Sequence, residues 1–158
     1  MMVRAWTYIR SLGSEGLKLA SLYAVLNANY LKAKLKDHYH LAFNTDCLHE
    51  AVFSDKYQAI NGVTALDIAK RLIDYGVHPP TMYFPLVVKG ALMIEPTETE
   101  SLYDLDRMID AFINVANEAM KQPELVKSAP HNTALKRLDE AKAARVLKLT
   151  YQHSSPHP

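Results

Sequence analysis

The stretch from Leu92 to Ser101 constrains this chain more than any other. An apolar, strand-like run, Leu92-Met93-Ile94, stops at Glu95-Pro96, and a long helical pattern opens at Ser101. Proline lacks a backbone N–H and disfavours helix for the residue before it, so the strand must end at Glu95 and the chain must turn before it can become helical. That turn presents Glu95, Glu98 and Glu100 beside Pro96. Ser101 followed by Asp104 then reads as a helix start, and Leu105, Met108, Ile109, Phe112, Ala116 and Ala119 form one apolar face that should pack flat on the sheet.

The remainder alternates in the same way. Leu17, Ala20, Ala24, Ala28, Leu31 and Leu35 recur at helical spacing, while Leu19, Leu22, Val25 and Leu26 add a second stripe, which predicts a helix covered on more than one side. Gly13 and Gly16 bracket its start, with Ser14 and Glu15 as cap and first-turn charge. His38–Phe43 and Leu48–Phe53 are expected to be two antiparallel strands joined across Asn44-Thr45-Asp46. Thr64 and Asp67 open a helix carrying Ile68, Ala69, Leu72 and Ile73, which Gly76 can end in the left-handed conformation. Pro79 and Pro80 forbid helix, so Thr81–Pro85 and Leu86–Glu95 read as extended segments interrupted at Lys89-Gly90. Short helical pieces are expected near Glu124–Lys127 and Leu138–Val146, followed by a disordered tail. The pattern predicts an α+β domain with helices covering one face of a small, mainly antiparallel sheet.

Composition narrows the classes. With 158 residues, 49% of them apolar, the chain is long enough for one buried core. A net charge of +1 without a basic run argues against nucleic acid as a partner. One cysteine, Cys47, excludes an internal disulfide framework and fits a reducing compartment, so the cytoplasm is the expected location. No apolar run reaches the roughly 20 residues that cross a bilayer, and no membrane is expected among the partners.

Candidate chemistry is sparse. His49 and Glu50, adjacent on an expected strand, should point to opposite faces and so not touch. His38 and His40 would share a strand face, yet two ligands without a nearby thiolate or carboxylate do not make a zinc site, and no metal is expected. Tyr75–Thr81 compresses a helix end, an imidazole, two prolines and a hydroxyl into a rigid loop able to fix a side chain at a pocket edge, although a plain connector would read the same way. Glu95, Glu98 and Glu100 equally serve as helix-start charges. Cys47 reads as a small buried filler.

Several motifs stand in one order: Glu15-Gly16-Leu17, Ala24-Val25-Leu26-Asn27-Ala28-Asn29-Tyr30, His49-Glu50, Asp67–Leu72, Tyr75–Thr81, Leu92–Ser101, Ala129-Pro130-His131 and Arg137–Glu140. Together they resemble the C-terminal region of the glycine cleavage system P-protein, the decarboxylating glycine dehydrogenase, above all its split form's subunit 2. The resemblance implies the small C-terminal domain of a pyridoxal phosphate enzyme of the aspartate aminotransferase-like fold (fold type I). Residues 1–13 would then be the remnant of a large domain's end, 14–150 the small domain, and 151–158 a flexible tail. For the complete enzyme it implies decarboxylation of glycine with pyridoxal phosphate as electron sink, and transfer of the aminomethyl group to the lipoyl disulfide of the H-protein.

The expected partners are accordingly the large domain of the same subunit, P-protein subunit 1, lipoylated H-protein and glycine. In the family the cofactor sits on a lysine directly after a histidine, and no His-Lys dipeptide occurs here. A piece that completes the active site without the cofactor lysine, inactive by itself, is therefore expected. The resemblance puts His78, Thr81, Thr97 and Glu98 at the active-site wall, with His49 as an outlying candidate. A stand-alone protein-interaction module, its first helix docked on a partner, is the alternative.

Overall fold

The computed structural model describes residues 1–150; the expected disordered tail, with His153 and His157, lies outside the described residues. In chain order the elements are α1 (Met2–Leu35), β1 (His40–Leu41), β2 (Ala51–Ser54), a 3₁₀ turn (Gln58–Asn61), α2 (Ala65–Asp74), β3 (Thr81–Met82), β4 (Ala91–Ile94), α3 (Leu102–Lys121), α4 (Pro123–Lys127) and α5 (Glu140–Arg145). The four strands form one antiparallel sheet in the order β1-β2-β4-β3. The α+β expectation holds.

Alternation along the central pair explains where the core lies. Phe53 pairs with Leu92 and Ala51 with Ile94, and directly opposed residues on neighbouring strands share a face. All four are buried in one cluster with Leu31 and Leu35 of α1, Ile68 and Leu72 of α2, and Ile109, Phe112 and Val115 of α3. Tyr39 sits at its centre, edge-on to Phe53 and Phe112 at 6.4 and 5.7 Å between ring centroids, its phenol donating to the Phe112 carbonyl at 2.8 Å. Burial pushes that phenol far above its ordinary range, with the Glu118 charge adding to the effect, so it remains a donor.

Local signals place the helix ends. Thr64 and Asp67 form a reciprocal capping box on α2, and Asp55 Oδ2 accepts the next free amide, that of Ala65, at 2.8 Å. At the other end the Gly76 N–H donates to the Ile73 carbonyl and the Val77 N–H to the Leu72 carbonyl, with Gly76 at φ 72°. This is the Schellman arrangement, which glycine adopts without Cβ strain and which fixes the direction in which His78-Pro79-Pro80 leaves the helix. The Ser101 Oγ caps α3 by accepting from the Asp104 N–H at 3.1 Å.

Several expectations need correction. The strands are shorter than the apolar runs: only His40–Leu41 and Ala51–Ser54 pair, and residues 83–90 turn back where the second extended segment was expected to begin. His38 lies in the turn after α1, so His38 and His40 do not share a strand face; the His40 ring instead meets Ser54 Oγ at 2.9 Å. His49 and Glu50 precede β2, where strand alternation does not apply, and their imidazole and carboxylate lie 4.0 Å apart instead of facing opposite ways. The first helix also starts earlier than Gly13, which interrupts a longer helical path at φ 64°, ψ −173°. Its inner stripe is buried at Ala28, Leu31 and Leu35, whereas Leu19, Leu22 and Leu26 of the second stripe are exposed.

Candidate functional site

Two turns and one helix face converge beside the β3 edge of the sheet. The first turn is the exit from α2, where Pro79 and Pro80 stiffen the chain between His78 and Thr81. The second follows β4, where Pro96 is buried and Thr97 exposed. The Thr97 carbonyl accepts from the Glu100 N–H at 3.3 Å and from the Asn27 side-chain amide at 2.9 Å, while the Thr97 and Thr99 hydroxyls meet at 2.7 Å. The helix face is the polar side of α3. Together they enclose a groove of about 620 Å³ lined by His78, Thr81, Thr97, Arg107, Asp110 and Asn114, among others.

Three of the five predicted wall residues, His78, Thr81 and Thr97, therefore share one groove although they come from separate elements. Glu98 does not line it. It is half-buried and accepts from the Tyr8 hydroxyl at 3.0 Å, a bond that holds the Tyr8 phenol above its ordinary range. His49 lies in a second groove of about 320 Å³ with Lys32, Cys47 and Glu50. Burial raises the Cys47 thiol, and Asn29 Oδ1 lies 3.4 Å from its sulfur, so this cysteine stays protonated and is no ready nucleophile.

The sequence reading missed the contribution of α3. Asp104, Arg107 and Asn114 recur on the side of the helix beside Met108 and Ala111, a spacing of three and four that could have revealed a shared polar face. It also missed that Glu95 approaches His49 and Glu50. These three residues place ligand-type atoms within 4.8 Å of one another, with His49 and Glu95 exposed. The approach follows from register, because Ala51 pairs with Ile94 and the next positions outward on the two strands are Glu50 and Glu95.

Chemically, the main groove offers hydrogen-bond donors and acceptors, one imidazole, and a guanidinium for which no ion pair occurs among the described residues. Its acidic rim, Glu95, Glu100, Asp104 and Asp110, outnumbers Arg107. Such a surface can orient a small polar group and exchange a proton through His78. Among the described residues no helix is long and apolar enough to cross a membrane.

The model of the family described as "Glycine dehydrogenase, C-terminal domain" matches residues 20–138 of this chain. Similar proteins named probable glycine dehydrogenase (decarboxylating) subunit 2 come from several bacteria. That of Listeria innocua is 57% identical over 150 residues, which cover 95% of this chain and 31% of the relative. That of Caldanaerobacter subterraneus is 56% identical over 145 residues, covering 92% and 30%. That of Staphylococcus haemolyticus is 56% identical over 153 residues, covering 96% and 31%. The chain thus spans about a third of the length of the curated relatives it matches, and the match contains every element from β1 to α4. A buried core, a capped α2–α3 frame and a polar groove, matched over this extent, place the chain in the glycine dehydrogenase C-terminal domain family.

Proposed function

We propose that this chain is the C-terminal part of a pyridoxal phosphate-dependent glycine decarboxylase, where it forms one wall of the active site. The observation that carries the reading is the joining of His78, Thr81 and Thr97 in one groove by a chain 57% identical to a glycine dehydrogenase subunit. The remaining parts of the reading are the aspartate aminotransferase-like large domain, subunit 1, a lipoylated H-protein, glycine as substrate and a cytoplasmic location.

The groove does not fit covalent attachment of the cofactor. No lysine is among the described residues that line it, and its one lining glycine, Gly76, serves the α2 terminus instead of a phosphate cradle. What the chain's own residues supply is shape and polarity. His78 is held at a rigid exit, Thr81 lies on an edge strand, and the Thr97 turn is tied by hydrogen bonds, so the wall keeps its form when water is displaced.

The test compares this chain with a protein extended to the length of its relatives and paired with a subunit 1. The expected result is that this chain alone gains no stable absorbance with pyridoxal phosphate and exchanges no glycine carboxyl carbon, while the longer pair does both. Stable covalent cofactor binding by this chain would refute the reading. A second reading, a protein-interaction module, draws on the exposure of Trp6, Ile9, Leu19, Leu22, Tyr23 and Leu26 along α1. It would be favoured if the longer pair proved inert towards glycine.

A further inference from the structure

We infer that Asn27 and Asn29 of α1 are positioning residues that clamp the two turns at one end of the sheet, those around Thr97 and Cys47. Asn27 is only 9% exposed, and its Nδ2 donates to the Thr97 carbonyl at 2.9 Å. Among the described residues that carbonyl has one other donor, the Glu100 N–H at a long 3.3 Å, so the turn's own hydrogen bond is weak and the helix supplies the stronger one. Asn29 grips the other turn twice: its Nδ2 donates to the Cys47 carbonyl at 2.7 Å and its Oδ1 accepts from the Cys47 N–H at 3.2 Å. An amide side chain that both donates to and accepts from one residue's backbone fixes that residue's position and orientation.

The two asparagines are two positions apart, about 200° around an α-helix, so a single turn of α1 reaches both segments from different sides. The segments belong together. The Cys47 turn leads into β2 and the Thr97 turn leaves β4, the two strands pair antiparallel, and His49 and Glu50 consequently approach Glu95. Backbone pairing ends at Ala51 and Ile94. Beyond it α1 takes over, and the spacing of Thr97 from the His49-Glu50 pair is set by side chains of one helix. Tyr8 adds an exposed bond to Glu98 from the same helical path.

The kinetic part of the inference rests on the proposed function; the conformational part does not. In the full-length enzyme with its partner subunit, Asn27→Ala and the isosteric Asn27→Asp are compared with Asn29→Ala by hydrogen–deuterium exchange. The Asn27 variants should speed exchange in the peptide containing Glu100 roughly fivefold, the ratio that one lost hydrogen bond of ordinary net strength gives, and leave the peptide around Cys47 unchanged. Asn29→Ala should do the reverse. Far-UV circular dichroism selects the folded variants, and Asn27→Asp keeps the test open if truncation prevents folding.

Glycine carboxyl exchange gives the second arm, in which Asn27→Asp should lower kcat/KM. Unchanged exchange at Glu100 in a folded Asn27 variant overturns the clamp. If His78→Ala and Thr97→Ala leave glycine exchange intact, the proposed function fails and the clamp is still judged by its exchange arm. If those two act and Asn27→Asp does not, the clamp's bearing on the site is overturned.

Discussion

Two stretches of α3 use charge in opposite ways. Between the end of α2 and the later part of α3, Arg71 donates to both oxygens of Glu118, from Nε at 2.8 Å and Nη2 at 2.9 Å, and to Asp74 at 3.0 Å. Tyr75 donates to the same glutamate at 2.7 Å, and Asp74 accepts the backbone N–H groups of His131 and Asn132 at 2.6 and 2.7 Å. Every member has a partner there, and the segment around Pro130 is tied down. Arg137 completes the tie with an ion pair to Asp67 at 2.7 Å. Between Asp104 and Asn114 of α3, by contrast, Arg107, Asp110 and Asn114 border a groove with no ion pair among the described residues. Satisfied charge holds structure, and charge left open to a groove is available to a ligand.

Breaking the closed network should cost the most. Arg71→Ala leaves two carboxylates, Glu118 and Asp74, facing each other with side chains mostly out of water. Loss of one member of such a pair costs about 3 kcal/mol, measured as a lowered denaturant midpoint. The groove's shape should change little, so activity of the folded fraction in the complete enzyme should persist.

Gly90→Ala comes next. At φ 65° a side chain is strained, and its Cβ would stand 1.9 Å from Asp55 Oδ1, whose carboxylate caps α2. A loss of about 2 kcal/mol is expected from the combined strain and displaced cap, read from the same unfolding curve.

The pH dependence sharpens the contrast at smaller amplitude. The Arg71 hydrogen bonds hold the Glu118 carboxyl below its ordinary range against the opposing effect of burial. Burial would raise Asp74, but the amides of Asn132 and His131 together with Arg71 outweigh it and lower it. For a depressed carboxylate the stabilisation is present above its unfolded pKa and is lost as pH falls through the folded value. Melting temperature should therefore drop as pH falls from about 4.5, and Glu118→Gln should flatten that drop.

The smallest stability effect belongs to the open side. Arg107→Ala removes an exposed side chain that lies over the Tyr103 ring at 5.9 Å, so stability should stay within about 0.5 kcal/mol. Glycine exchange by the complete enzyme should nevertheless weaken. An activity change without a stability change would mark the groove as functional, and the reverse would assign Arg107 to the frame.

Much of the frame was legible. Thr64 and Asp67, Gly76, and Ser101 with Asp104 marked helix ends whose hydrogen bonds are now visible. The residues of the candidate groove were legible in part. His78, Thr81 and Thr97 carried a family signal, whereas Glu98 turned away to Tyr8 and His49 lay in another groove. The strand ends misled because apolar content continues past the last paired residue, as at Leu48, which is exposed just before β2.

By itself the sequence determined what depends on neighbours along the chain: helix periodicity, caps, the stop at Pro96 and the family. Only the tertiary structure decided which distant side chains meet, such as Asn27 with Thr97, His49 with Glu95, and Arg71 with Glu118. Capping and periodicity are short-range and set by a few adjacent residues. Those meetings depend on strand register and helix packing, which are fixed only when the whole core closes.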